Sequence, residues 1–177
     1  IPQIQIVSDF YDHPGFIESW KAVAKPLLTG RHDHILFSFH GLPESHVLQA
    51  DHSGSHCLTH GDCCQGFKEK NSRCYRAQCL ATAASIAKTI GIERQDYSIA
   101  FQSRLGKAKW LGPSVSETIA RLASEGKKNL LVFCPSFVAD CLETIEEIGE
   151  ELNQEFLNMG GESLELVPSL NVDPAWV

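Results

Sequence analysis

No apolar run in this sequence approaches the roughly 18–20 residues that a membrane-crossing helix needs, so no transmembrane span is expected. Nor is there a basic stripe. The 15 Lys and Arg face 22 Asp and Glu, a formal net charge of -7, which argues against nucleic acid held through counterion release. The opening residues IPQIQIVSDF include no initiator Met, basic segment or long apolar segment. No signal peptide is therefore expected, and the chain reads as a fragment. Internal repeats, linkers and low-complexity tracts are also missing. With 43% hydrophobic and 21% charged residues over 177 positions, the expectation is one folded domain spanning 1–177.

Cysteine, by contrast, is plentiful. Seven is an odd count that includes an adjacent pair, a poor match to a secreted disulfide framework and a better one to metal or redox chemistry. Cys57, Cys63, Cys64, Cys74 and Cys79 crowd one polar stretch, while Cys134 and Cys141 lie in apolar or helical surroundings. The crowded five offer soft ligands to zinc or to an iron–sulfur cluster. His52, His56 and His60 lie among them and either complete a mixed zinc site or are solvated loop residues. No spacing is the two-residue knuckle of zinc ribbons, and the metal stays open.

Elsewhere, short β-branched runs alternate with amphipathic segments. Residues 3–8, 35–39, 98–102, 129–133 and 163–167 read as strands. Residues 15–28, 77–90, 114–124 and 140–158 read as helices, with Pro14 and Pro113 near starts and Gly30, Gly91 and Gly160 at ends. This rhythm predicts an α/β fold, a doubly wound parallel sheet of about four to five strands with helices on both faces and function at the strands' carboxyl ends. Residues 44–73 break the rhythm. Thirty residues without periodicity read as a cysteine-rich insertion.

Three further features carry chemistry. His40 ends a buried strand, where an imidazole takes up protons or ligates a metal, although a polar strand end satisfied by a neighbouring carbonyl is the plainer account. Glu143, Glu147 and Glu151, spaced by four, stack on one helix face. Such a row binds a cation or conducts protons, yet by itself it is equally a solvated acidic face. Ser103 and Arg104 follow another strand and suit a carboxylate, with Trp110 as an apolar wall or as plain core.

Taken together, Leu36-Phe-Ser-Phe-His-Gly-Leu-Pro, Phe101-Gln-Ser-Arg-Leu-Gly, Trp110-Leu-Gly-Pro, Cys134-Pro-Ser-Phe-Val-Ala-Asp-Cys-Leu-Glu-Thr-Ile-Glu-Glu and Leu170-Asn resemble the carboxyl-terminal half of the ferrochelatases. The resemblance covers nearly the whole chain. It implies insertion of ferrous iron into protoporphyrin IX, with the porphyrin in a cleft between two chelatase-like domains of which this is the second. It also implies an amino-terminal domain as partner, no activity for this half alone, and a cytoplasmic location with room for peripheral contact with the inner membrane. By the same resemblance His40 and Glu143 are catalytic and face each other across the porphyrin. Those two with Glu147 and Glu151 handle the substrate iron, and Ser103 and Trp110 line the cleft.

Some bacterial members of the family carry cysteines that bind a [2Fe-2S] cluster, with zinc as the competing occupant here. Since neighbouring side chains tend to diverge, the expected ligands are Cys57, Cys64, Cys74 and Cys79, with Cys63 as substitute. The alternative activities are iron insertion into coproporphyrin and cobalt insertion into a corrin-type ring. A non-catalytic iron–sulfur or haem-sensing module on the same fold is the alternative of another class. The decisive geometric expectation is that His40 and Glu143 meet at one sheet edge.

Overall fold

The computed structural model describes residues 3–177. Four strands, β1 (His34–His40), β2 (Tyr97–Gln102), β3 (Asn129–Phe133) and β4 (Ser163–Leu166), form one parallel sheet in the order β2-β1-β3-β4. The α/β expectation holds. Register places His40 opposite Gln102 and Phe37 opposite Phe133, so the carboxyl ends of the three inner-order strands reach the same edge.

Alternation along the strands builds a core on each face. Ile35, Phe37, Phe39, Leu131 and Phe133 point to one face, where they pack with Phe16, Ile17 and Trp20 of α1 (Pro14–Ala24) and Ala83, Ile86 and Ala87 of α3 (Tyr75–Ile90). Leu36, Leu130 and Val132 point to the other. There they meet Ile119 and Leu122 of α4 (Val115–Ser124), and Ile148, Leu152 and Phe156 from the helical rod after β3. Each of these fully buried large side chains contributes roughly 1.5–3 kcal/mol by leaving water. Ser114 caps α4, accepting from the Glu117 N–H while Glu117 reaches back to the Ser114 N–H.

Two expectations need correction. Residues 3–8 form no strand, and Ile4, Ile6 and Val7 are exposed: β-branched residues favour a strand only where a partner completes the ladder, and nothing among the described residues pairs with them. The expected helix over 140–158 begins at Leu142 and is not α throughout. A short α5 (Leu142–Thr144) widens into a π-helix over Ile145–Leu152 and returns to α6 (Asn153–Asn158).

The insertion has local order of its own. It opens with α2 (Glu44–Gln49), passes through a 3₁₀ turn (Glu69–Asn71), and buries its three cysteines, as Cys74 and Cys79 are buried at and beyond the start of α3. Hydrogen bonds substitute for periodicity here. The Asp51 carboxylate accepts from the N–H groups of Ser53 (2.9 Å), His56 (2.8 Å) and Cys57 (2.8 Å), and Asn71 donates to the carbonyls of Cys63 and Gly66.

Candidate functional site

Three loops meet at the carboxyl edge of the sheet. After β1 the chain turns at Gly41, whose N–H donates to the Gln102 carbonyl at 2.8 Å. A β-carbon at Gly41 would lie 2.7 Å from that same oxygen, so the close approach needs glycine. The following Leu42 and Glu44 bond to Leu111 and Lys109, sewing the His40 loop to the loop after β2. After β3, Asp140 is fixed by Asn171 Nδ2 (2.8 Å) and the Ser169 N–H (3.1 Å), which aims α5 back across the edge. Burial works to raise the Asp140 carboxyl, but the bonds from Asn171 and Ser169 hold it below its ordinary value.

His40 is half-buried. Its backbone N–H donates to Ser136 Oγ at 2.9 Å, its carbonyl accepts from the Tyr75 hydroxyl at 2.8 Å, and its ring stands edge-on to Phe137 with centroids 5.9 Å apart. The buried Nδ1 has no protein partner. A carbonyl-satisfied strand terminus would have filled that position, so the plainer account of His40 does not apply.

Glu143 lies within electrostatic reach of this imidazole. Its carboxyl is held below the usual range first by a bond from its own N–H and then by the Cys141 thiol. Both residues stand at the carboxyl edge through Gln102, which lies opposite His40 in the β1–β2 register and whose amide donates to the Glu143 backbone carbonyl at 2.7 Å.

Gln102 ties the acidic residues to the sheet. Its buried side chain accepts from Ser38 Oγ (2.5 Å) and Cys134 Sγ (3.7 Å), and its amide donates to the Glu143 carbonyl (2.7 Å) and to Glu147 Oε2 (3.2 Å). Glu147 also accepts from the Ser103 N–H (2.6 Å) and hydroxyl (2.5 Å). Glu147 and Glu151 line one groove of about 200 Å³ with Ser103 and Glu155. The acidic row is real, but the π-helical turn sets its spacing, and π-segments recur at functional sites. A purely solvated face would not hold one member by three hydrogen bonds.

Ser103 and Trp110 line different spaces. Trp110 is only partly buried, so it is not plain core, and it faces a cavity of about 780 Å³ with His60, Arg76, Arg104 and Lys109. Ser103 lines the acidic groove, and Arg104 borders both.

The premise that the adjacent thiols diverge does not hold. Cys63 and Cys64 do not diverge: both are buried, with sulfurs 3.7 Å apart. Cys57, Cys64 and Cys74 are close enough to perturb one another's thiols, and with the Cys63 sulfur beside that of Cys64 the four share one buried neighbourhood. Cys74 is pushed down to about 5, led by its bond from Cys64 and helped by N–H groups at the start of α3. Burial pushes the Cys57 thiol up to about 12. Arg76 Nη1 stands 3.8 Å from Cys64 Sγ, and the Leu58 N–H 3.4 Å from Cys63 Sγ.

Cys79 is buried one turn into α3 and lines a cavity with Tyr75. The histidines have other partners: His52 meets Arg73, His56 the Cys63 carbonyl and His60 the Thr59 hydroxyl. Among the described residues no three His, Cys, Asp or Glu side chains are arranged to hold a single metal ion. No described helix is long and apolar enough to cross a membrane.

Sequence reasoning named His40, Glu143, Glu147 and the cysteines, and missed Tyr75, Ser136, Gln102 as a hub, and Asp51. Only Asp51 had a readable signal, an Asp two residues before a Ser, the pattern of a side-chain-closed turn.

The comparisons with known proteins agree with one another. A model of the family "Ferrochelatase" matches residues 1–177. The ferrochelatase of Pseudomonas entomophila (strain L48) is 48% identical over 176 residues, covering 99% of this chain and 52% of that protein. That of Pseudomonas fluorescens (strain Pf0-1) is 47% identical over 175 residues, 98% and 51% respectively. That of Azotobacter vinelandii is 46% identical over 175 residues, 98% and 52%. The chain thus spans about half the length of the curated relatives it matches.

Proposed function

The chain belongs to the ferrochelatase family, and we propose that the whole protein of which it is part inserts ferrous iron into protoporphyrin IX, the two substrates meeting at the sheet edge described above. The observation that supports this reading is Gln102, which lies opposite His40 in the sheet register while its amide bonds both the Glu143 carbonyl and the Glu147 carboxylate from the rod after β3. Metallation must remove two pyrrole protons and bring a divalent cation to the centre of a flat ring. An imidazole with a free buried nitrogen suits proton removal. A carboxylate row leading away from it suits metal delivery or proton exit. The Glu147 carboxylate is positioned by Gln102 and Ser103 at the end of β2 rather than left to solvent, the pre-organisation such a transfer requires.

Substrate binding is assigned to the space beside Trp110, whose ring offers an apolar wall while Arg76, Arg104 and Lys109 suit the carboxylates of a porphyrin. The opposite wall belongs to an amino-terminal domain outside this chain. Activity therefore requires the whole protein, placed in the cytoplasm with peripheral membrane contact.

The insertion and the helix start after it fit a [2Fe-2S] cluster by donor chemistry: four thiols, none in a disulfide, are buried in one neighbourhood, with the Leu58 N–H and the Arg76 guanidinium directed at two of them. Cys57, Cys63, Cys64 and Cys74 would hold it, Cys63 taking the place expected of Cys79. Such a cluster supplies one-electron redox chemistry when bound. Metal insertion transfers no electrons, so its contribution would be to shape the insertion.

The test is anaerobic assay of the full-length protein with protoporphyrin IX and ferrous iron. Haem formation that depends on His40 is the expected result. Tight haem binding without turnover would favour the sensing module instead.

A further inference from the structure

Outside the acidic row, the strand end that carries His40 is gripped by residues that no step of the proposed chemistry uses. Both backbone groups of His40 are engaged: the N–H by Ser136 Oγ at 2.9 Å, the carbonyl by the Tyr75 hydroxyl at 2.8 Å. Ser136 and Cys79 lie beside that phenol, Ser136 through the neighbouring His40 N–H and Cys79 one helical turn along α3. Tyr75, Cys79, Ser136 and Phe39 line one cavity of about 250 Å³ behind the site. Tyr75 is the first residue of α3, and Cys74, a member of the thiol group, is the cap immediately before it.

A backbone carbonyl at the end of a central strand is ordinarily satisfied by the ladder or by water. Here a phenol at the start of a helix holds it, so the orientation of His40 depends on where the insertion places that helix start.

We propose that Tyr75 is a positioning residue for His40, holding the strand end through its hydroxyl, and that Cys79 supports this phenol rather than serving the thiol group. This rests on the chelatase reading for its catalytic consequence, but the hold on the strand end does not. Tyr75 touches neither substrate in this arrangement; it acts through His40. It is also the shortest covalent route from the thiol group to the site, one peptide bond from Cys74.

The experiment uses the full-length protein purified without oxygen, with Tyr75→Phe, Ser136→Ala and Cys79→Ala beside the parent. Three quantities are read: kcat and porphyrin KM, bound iron and sulfide, and amide hydrogen exchange of residues 38–42. Loss of the hydroxyl in Tyr75→Phe is expected to lower kcat about five- to tenfold with KM within about twofold, the scale of one hydrogen bond. Exchange in 38–42 should quicken by a similar factor. Ser136→Ala, outside the insertion, should reproduce both changes, and Cys79→Ala should keep its iron and sulfide.

Parental kcat and exchange in both Tyr75→Phe and Ser136→Ala would overturn the proposal, and loss of iron in Cys79→Ala would overturn its second half. A parent that inserts no metal would defeat the chelatase reading alone, leaving the exchange rates to decide the hold on His40. Should Tyr75→Phe lose its cluster, Ser136→Ala decides.

Discussion

Ser103 binds the Glu147 carboxylate twice, through its N–H at 2.6 Å and its hydroxyl at 2.5 Å. It does so with φ at +62°, a left-handed conformation that costs a non-glycine residue on the order of 1 kcal/mol. The two bonds to a charged acceptor offset that cost. Glu147→Gln replaces the acceptor charge and turns one of its contacts into a donor facing donors. The expected outcome is a kcat lowered about tenfold or more with folding stability reduced by about 1–2 kcal/mol. Steady-state kinetics and denaturant unfolding of the full-length protein check it. Ser103→Gly should restore backbone ease but not activity, since the hydroxyl is gone.

At His40 the expectation is sharper. His40→Ala in the full-length protein should lower metal insertion by about 10²–10⁴-fold, the range of a lost general base, while the fold persists. Glu143→Gln should be severely impaired, because the amide keeps the shape but loses the charge that metal or proton handling requires. Glu151→Gln should be milder, since Glu151 is exposed and two turns further along the rod. Haem formation by His40→Ala at the parental rate would remove the site assignment.

The sheet was legible because buried strands announce themselves: Ile35–Phe39 and Asn129–Phe133 are apolar on both faces, and the carboxyl edge that brings His40 to Glu143 follows from parallel topology. The π-helical turn was not, since Ile145–Leu152 has the same apolar spacing whether wound as α or π. The internal order of the insertion was not legible because it comes from Asp51, Asn71 and buried sulfur, none of which has a period. The convergence of Cys63 and Cys64 depends on the backbone turn between His60 and Gln65, which residue identity does not specify. Tyr75 was invisible for another reason: its partner is a backbone carbonyl 35 positions away.

Asp51 organises the insertion with four bonds, three from N–H groups and one from Ser53 Oγ at 2.7 Å. The bond from the Cys57 N–H is the largest cause holding its carboxyl far below the usual range, so it is charged at all working pH values. Asp51→Ala leaves the N–H groups of His56 and Cys57 without an acceptor. The expected outcome is loss of at least half of the bound iron and sulfide under anaerobic purification, with the sheet intact by circular dichroism. Full retention would show that Cys57 is placed by something else.

Assignment of the thiols predicts opposite outcomes for two single replacements. Cys63→Ser should reduce bound iron and bleach the visible spectrum, as its sulfur lies 3.7 Å from that of Cys64. Cys79→Ser should retain both, because a hydroxyl still meets Tyr75. Iron retained by Cys63→Ser and lost by Cys79→Ser would restore the set expected from sequence.

A last prediction concerns His34, at the end of the sheet remote from His40. Burial, with Lys127 and Arg121 nearby, pushes its imidazole down to about 4. Nε2 lies 2.9 Å from Ser98 Oγ, while the buried Nδ1 has no partner, so protonation would create an N–H with nothing to accept it. An unfolded chain takes up this proton near pH 6.5. Between about pH 6.5 and 4 the unfolded state therefore binds more protons at this position, and stability falls as pH falls, by about 2–3 kcal/mol over the whole window. The depressed carboxylates Asp33 and Asp140 act in the same direction only below about pH 5, as the unfolded chain begins to protonate its own acids. The interval from pH 6.5 to 5 thus isolates the imidazole. His34→Gln keeps a polar group near Ser98 but cannot titrate, so its unfolding free energy should be flatter across that interval than the parent's. Equal slopes in the two full-length proteins would show that His34 is charged in the fold and that the burial argument fails.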